Sequence, residues 1–133
     1  MYFEVSRQSN KNFPNIFTIR NFYVSTDLGW TEIEGKHGKI IFKGYAYTDL
    51  REFLKHHDPS NLSTPRGSFT AIMEKDNCIH IVHDNSRQYP IFVDKANCIV
   101  TNLTKLDEIK YPDVSITIDA ITGTVNENYN KIV

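Results

Sequence analysis

Short runs of β-branched and aromatic residues, separated by polar turn-forming residues, recur along the chain. Such runs are typical of antiparallel strands joined by short turns. Two of them, residues 68–74 and 78–83, carry apolar side chains at both sets of alternating positions, which predicts a sheet covered on both faces by a second sheet or a helix. The predicted strands cover residues 2–6, 15–20, 30–34, 39–43, 68–74, 78–83, 90–93, 98–101 and 114–119.

One helix is predicted over residues 49–57. Asp49 is suited to cap its first turn, because Glu52 follows three positions later, as in a capping box. The apolar residues Leu50, Phe53 and Leu54 then fall on one face of the helix. Prolines 59 and 65 predict a loop after it, and residues 103–109 are compatible with a second, short helix. The fold class expected from these elements is α+β.

Length and composition predict a single domain over residues 1–133, since 40% apolar residues suffice for one core. The formal charge of −1, from 15 basic and 16 acidic residues, gives no electrostatic footprint for nucleic acid or an anionic membrane. No apolar run approaches the roughly 20 residues of a membrane span, and the N-terminus does not resemble a secretion signal. A cytoplasmic protein is therefore expected.

The two cysteines, Cys78 and Cys98, are expected to be free thiols, as is usual in a reducing compartment, with a disulfide as the less favoured alternative. A zinc site has to be weighed because His80 and His83 follow Cys78 closely. Along a strand, however, Cys78 and His80 face one side and His83 the other. We therefore predict no metal and no cofactor, and we expect His56 and His57 to lie at the C-terminal end of the helix.

Five motifs in the second part of the chain occur in an order that resembles the N-terminal glutaminase domain of class II glutamine amidotransferases, the asparagine synthetase type. That resemblance implies two stacked, mostly antiparallel sheets of the N-terminal-nucleophile hydrolase type. Residues 1–39 lack the arginine-glycine-proline element of the family. The motifs are Phe42-Lys43-Gly44-Tyr45, Gly67-Ser68-Phe69-Thr70-Ala71, His83-Asp84 with Pro90-Ile91-Phe92-Val93 after a five-residue gap, Val100-Thr101-Asn102-Leu103, and Pro112 with Tyr129.

The same resemblance implies that the usual chemistry of the family is absent. Its nucleophile is a cysteine at position 2, where this chain has Tyr2, and Lys43 stands where the family has an asparagine of the oxyanion hole. Removing one oxyanion donor typically costs about 3 kcal/mol of transition-state stabilisation. A residual cleft would be bordered by Tyr2, Lys43, Gly44, Arg66 and Gly67, and the resemblance gives Asp84 a role in stabilising a turn.

Three functions follow as hypotheses. The first is a catalytically inactive glutaminase-like domain that acts as a binding or interaction module for a protein partner or a small metabolite, with Lys43 and Arg66 holding an anion. The second is a hydrolase or transferase with relocated residues, for example Asp84, His83 or His80 as acid and base. The third is a structural protein that forms homo-oligomers through an exposed sheet edge.

Overall fold

The computed structural model describes residues 1–61, 63–84, 91–103, 109–110 and 114–129. Within these ranges one helix lies among many short strands, so the backbone hydrogen bonds are satisfied mainly between strands. The elements are β1 (Phe3–Ser6), β2 (Asn15–Ile19), β3 (Phe22–Thr26), β4 (Thr31–Gly35), β5 (Gly38–Ala46), α1 (Leu50–His56), β6 (Gly67–Lys75), β7 (Cys78–His83), β8 (Ile91–Asp94), β9 (Ile99–Thr101), β10 (Ile109–Lys110), β11 (Val114–Asp119) and β12 (Val125–Tyr129).

The strands form two antiparallel sheets, which confirms the α+β class. Sheet A has the order β10-β8-β9-β1-β3-β2, and sheet B has the order β12-β11-β7-β6-β5-β4. The first strand of the chain, β1, is interior to sheet A, where it pairs with β3 on one side and β9 on the other. Sheet B contains an uninterrupted antiparallel series from β4 to β7.

The main core lies between the two sheets. Residues of sheet A such as Phe3 and Val24 form one buried cluster with residues of sheet B such as Ile72 and Ile118. Trp30 belongs to this cluster with 7% of its surface exposed, and its ring meets Phe3 edge-on at a centroid distance of 6.2 Å. The single tryptophan of the chain is therefore a core residue.

A second core lies on the other face of sheet B, under α1. Leu50 and Leu54 of the helix join a cluster with alternate residues of β5 and β6, including Phe42 and Phe69. Sheet B is therefore buried on both faces, once by sheet A and once by the helix, as the alternation along β6 and β7 predicts.

The helix is confirmed together with its cap. The side chain of Asp49 accepts a hydrogen bond from the backbone N–H of Glu52 at 3.2 Å, which satisfies one of the free donors of the first turn. His56 lies in the last turn, and His57 is the C-terminal cap. No helix among the described residues is long and apolar enough to cross a membrane.

Every predicted strand overlaps an observed one, but β3, β10 and β12 were not predicted. The turn between β2 and β3 is formed by Arg20 and Asn21, and Arg20, not the turn-forming Asn21, takes φ 56°, a left-handed conformation more usual for glycine or asparagine. Residues 104–108 of the predicted second helix lie outside the described residues, and Ile109–Lys110 form β10 rather than the end of a helix.

Candidate functional site

A charged residue group closes one end of the space between the sheets, and Asp27 is its centre. Asp27 follows β3, and its Oδ1 accepts hydrogen bonds from the Trp30 indole N–H at 2.7 Å and from the Tyr2 backbone N–H at 3.0 Å. The ammonium of Lys43 on β5 lies 3.2 Å from Asp27 Oδ2 and also donates to the carbonyl oxygen of Leu28. We call Tyr2, Asp27, Trp30 and Lys43 the Asp27 cluster.

The alternation of β5 places Lys43 in this cluster. Ile41 packs in the core between the sheets, whereas Ile40 and Phe42 pack under the helix, so Lys43 points toward sheet A as Ile41 does. The stem of Lys43 passes over Gly29, where an added Cβ would lie 3.2 Å from the lysine Cε. Gly29 also has φ +95°, so both the conformation and the space favour glycine.

The electrostatics of the cluster favour an ionised Asp27. Burial raises its pKa, but the hydrogen bonds from Trp30, the Tyr2 backbone and Lys43 outweigh burial and hold the pKa below its usual range. The carboxylate is thus a fixed negative charge that holds the lysine ammonium in place. The side chains of Lys43 and Asp27 are 29% and 31% exposed, so solvent still reaches both groups.

Asn102 holds the same segment of β1 from the opposite side. Its Oδ1 accepts the Phe3 N–H at 2.9 Å, and its amide nitrogen donates to the carbonyl oxygen of Met1 at 2.7 Å. The hydroxyl of Thr101 donates to the Phe3 carbonyl oxygen at 2.6 Å. Residues 1–3 are therefore fixed between the Asp27 cluster and the loop after β9.

The predicted cleft residues are divided between two positions on the β5–β6 pair. Tyr2, Lys43 and Gly44 are brought together, and Gly44 has φ +118°, where an added Cβ would collide with the carbonyl oxygen of Ser68. Gly67 is paired with Ala46, which lies three residues beyond Lys43 on β5. At the usual rise of a strand, these three residues span about 10 Å. Arg66 precedes it and is exposed.

Asp84 is buried at the end of β7 and is bonded to the neighbouring strand. Its Oδ1 accepts the Phe69 N–H at 2.8 Å, and its own N–H donates to the Phe69 carbonyl oxygen at 3.1 Å. The turn that Asp84 is expected to stabilise, residues 85–90, lies outside the described residues.

The residues proposed for relocated catalysis lie on different faces. His83 is two positions from Ile81, which packs between the sheets, so it lies on the same face of β7 as Ile81. In the strand register, His83 on β7 is paired with Thr70 on β6, and Thr70 is in turn paired with Lys43 on β5. His80 lies on the other face of β7, together with Val82 of the core under the helix. The strand therefore separates His80 from His83, as the alternation predicts.

Both cysteines are free, which confirms the prediction, and neither belongs to the Asp27 cluster. Burial is the main cause that raises the pKa of the Cys78 thiol and the pKa of the Cys98 thiol. A raised thiol pKa lowers the fraction of nucleophilic thiolate at neutral pH. Within the described ranges, no group of three or more histidine, cysteine or acidic residues is placed to hold a metal ion.

Exposed apolar side chains lie at the Asp27 cluster and, two and four residues beyond Lys43, on β5 and just after it. Tyr2 is 42% exposed and Leu28 67%, and further along β5 and just beyond it Tyr45 and Tyr47 are 57% and 78% exposed. The two tyrosine rings meet edge-on at a centroid distance of 6.2 Å. We call these four residues the apolar rim.

Sequence reasoning missed Asp27, Trp30 and Asn102 as parts of the site. Asp27 lies in the segment Thr26-Asp27-Leu28-Gly29, whose composition is that of an ordinary turn. Its position opposite Lys43 depends on how the two sheets stack. Asn102 belongs to a motif of the resemblance, but no local pattern indicates that it bonds to Phe3.

Comparison of the chain with models of protein families, with curated proteins and with solved structures finds no match in any of the three. The function is therefore argued from the chemistry of the residues.

Proposed function

We propose that the chain is a non-catalytic relative of the class II amidotransferase glutaminase domain and acts as a binding module for a small anionic metabolite. The observation that carries the proposal is the Asp27 cluster, in which the Tyr2 backbone and the Lys43 ammonium share one carboxylate. Residue 2, where the family has its nucleophile, is thereby held beside a lysine where the family has an oxyanion donor. The ordered motifs between residues 42 and 129 support the relationship.

The chemistry of the residues favours binding over catalysis. Amide hydrolysis through a covalent intermediate needs a nucleophile with an adjacent base, together with donors aimed at the developing oxyanion. Tyr2 has no thiol, and the Lys43 ammonium is directed to Asp27 and to the Leu28 carbonyl oxygen. The thiols of Cys78 and Cys98 have raised pKa values and lie outside the cluster.

The surroundings of the cluster suit a small ligand with an anionic group. An ammonium group has three donors, and among the described residues Lys43 uses two of them, for Asp27 and for Leu28. One donor thus remains for a ligand, with the exposed cation of Arg66 further along the same strand pair. The apolar rim supplies exposed tyrosine surface, which is typical of binding sites.

The experiment measures thermal unfolding of the purified chain with increasing L-glutamate or L-glutamine, alongside an assay for ammonia release from glutamine. Ligand bound only by the folded state raises the melting temperature, and a concentration of about 100 times Kd stabilises by about 2.7 kcal/mol. We expect a concentration-dependent increase and no ammonia.

The matched variants are Lys43→Met and Lys39→Met. Lys39 is on the same strand, but it bonds to the Thr18 carbonyl oxygen and to Glu32. We expect the ligand effect to disappear in the first variant and to persist in the second. Ammonia release by the wild-type chain would refute the absence of catalysis. A ligand effect that survives Lys43→Met would refute the site, and no effect of either amino acid would refute the ligand class.

A further inference from the structure

Three histidines lie around the C-terminal end of α1, on the face of sheet B that the helix covers. His80 on β7 is paired with Met73 on β6, and Met73 is paired with Ile40 on β5. Met73 and Ile40 both belong to the core under the helix. His57 ends the helix with 7% of its surface exposed, and its ring stacks on Phe53 at a centroid distance of 4.6 Å.

The third histidine, His37, lies in the turn between β4 and β5. The neighbouring Lys36 N–H donates to the Lys55 carbonyl oxygen at 2.8 Å, which joins this turn to the last turn of α1. The Nε2 atoms of both His37 and His57 are buried and have no hydrogen-bond partner within the part of the chain that the structure describes. A buried polar atom without a partner is costly, and a buried charge without one is costlier still.

The charged groups near these rings give a proton little compensation. The carboxylate nearest to His57 is Asp58, which already accepts hydrogen bonds from the Lys75 ammonium at 2.8 Å and from the Ser60 N–H at 2.9 Å. The groups that act on His80 are Lys75, Asp58, Asp76 and His37, so both signs of charge face it. The exposed residues Glu52 and His56 pair with each other on the outer side of the helix.

We propose that α1 and the loop of residues 57–61 form a pH-dependent cover over sheet B, which protonation of His57 and His80 releases. A proton on His57 creates a buried cation whose Nε2 has no hydrogen-bond partner among the described residues, and the hydrogen bond to the Asn61 backbone and the charge of Asp58 offset only part of the cost of burial. A proton on His80 places a buried positive charge on the face of sheet B that the helix covers; burial and Lys75 disfavour that charge, and Asp58 and Asp76 offset only part of this cost. Both effects oppose docking of the helix, and its release uncovers apolar residues of sheet B such as Phe42 and Phe69.

The direction of the pH dependence follows from the two imidazoles. Burial is the main cause that holds the pKa of His57 and the pKa of His80 below the usual 6.5. The unfolded chain therefore binds more protons than the folded chain at pH values between the folded pKa and 6.5. Stability is full above pH 6.5 and decreases as the pH falls through that window.

The experiment measures urea unfolding of the full chain between pH 5.5 and 7.5 at constant ionic strength. It compares wild type with the double variant His57→Gln/His80→Gln and with the control His56→Gln, which changes a histidine side chain that is 75% exposed. Other titrating groups are common to wild type and the double variant, so their effects cancel in the difference. Linkage limits the loss of folding equilibrium constant to about tenfold per pH unit for each histidine.

We expect wild type and the control to lose stability toward pH 5.5 and the double variant to lose much less. If the double variant does not fold, His80→Gln alone should reduce the pH dependence of the folding equilibrium constant by up to about tenfold per pH unit, which corresponds to one proton. Amide exchange provides the local measurement, because release of the cover lowers protection at Leu54 more than at Ile72 of β6. An unchanged pH slope in the variants, or equal loss of protection at Leu54 and Ile72, would overturn the proposal.

Discussion

The Asp27 cluster makes a quantitative prediction for the change Asp27→Ala. The variant leaves the Trp30 indole N–H without its acceptor, and because Trp30 is only 7% exposed, that donor is poorly solvated. An orphaned buried donor costs about 1–3 kcal/mol. The partly exposed pair with Lys43 adds at most about 1 kcal/mol. The expected loss in the free energy of unfolding is about 1–4 kcal/mol.

The change Asp27→Asn separates the hydrogen bonds from the charge. Its amide oxygen still accepts from Trp30 and from the Tyr2 N–H, so only the ionic contribution of about 1 kcal/mol should be lost. Because the folded-state pKa of Asp27 is lowered, this contribution is present above the unfolded pKa of about 3.9. It disappears as the pH falls through the folded pKa.

Urea unfolding followed by fluorescence of the single tryptophan, Trp30, measures both variants and also reports directly on the cluster. The reasoning is refuted if Asp27→Ala costs less than about 0.5 kcal/mol, the range of an ordinary surface change. Equal losses in Asp27→Ala and Asp27→Asn would refute the assignment of the larger part to the Trp30 hydrogen bond.

Two further predictions concern the covering helix and the backbone beside Lys43. Leu54→Ala should lower the free energy of unfolding by about 2–5 kcal/mol, since the Leu54 side chain is fully buried under the helix. The control Leu28→Ala changes a residue that is 67% exposed and should alter the free energy of unfolding by less than about 0.5 kcal/mol. The urea midpoints of the two variants measure the difference. Gly44→Ala should lower the free energy of unfolding by about 1–3 kcal/mol, because Gly44 has φ +118° and an added Cβ would collide with the carbonyl oxygen of Ser68. A variant with the melting temperature of the wild type would contradict this backbone geometry.

The strands that sequence patterns predict are those with strong alternation or high β-propensity. β6 and β7 are clear because apolar residues occupy both sets of positions in each. β3 is not among the predicted strands although Phe22 to Thr26 has high β-propensity, since its turn is marked by Asn21 alone and depends on Arg20, whose guanidinium pairs with Glu74 of the other sheet. β12 was missed because its interior, Asn126 to Asn128, is polar and β12 lies at an edge of sheet B.

The candidate site was less predictable than the fold. Lys43, Gly44 and Tyr2 were found because they occupy motif positions, and the structure brings them together. Asp27, the residue that binds Tyr2 and Lys43, can be identified as part of the site only once the position of β3 in sheet A relative to β5 in sheet B is known. A contact between two sheets leaves no periodic signal in one strand, so no window of sequence contains it.

The interior position of β1 sets an order on folding. Its partners include β9, and the pair Val5 and Val100 is separated by most of the chain, so sheet A closes only after a long loop has been ordered. In sheet B the pairs β4–β5 and β6–β7 are hairpins of neighbouring segments, and such local pairings form faster. During synthesis β1 therefore emerges long before β9, and until then one of its hydrogen-bonding edges remains open to mispairing with other chains.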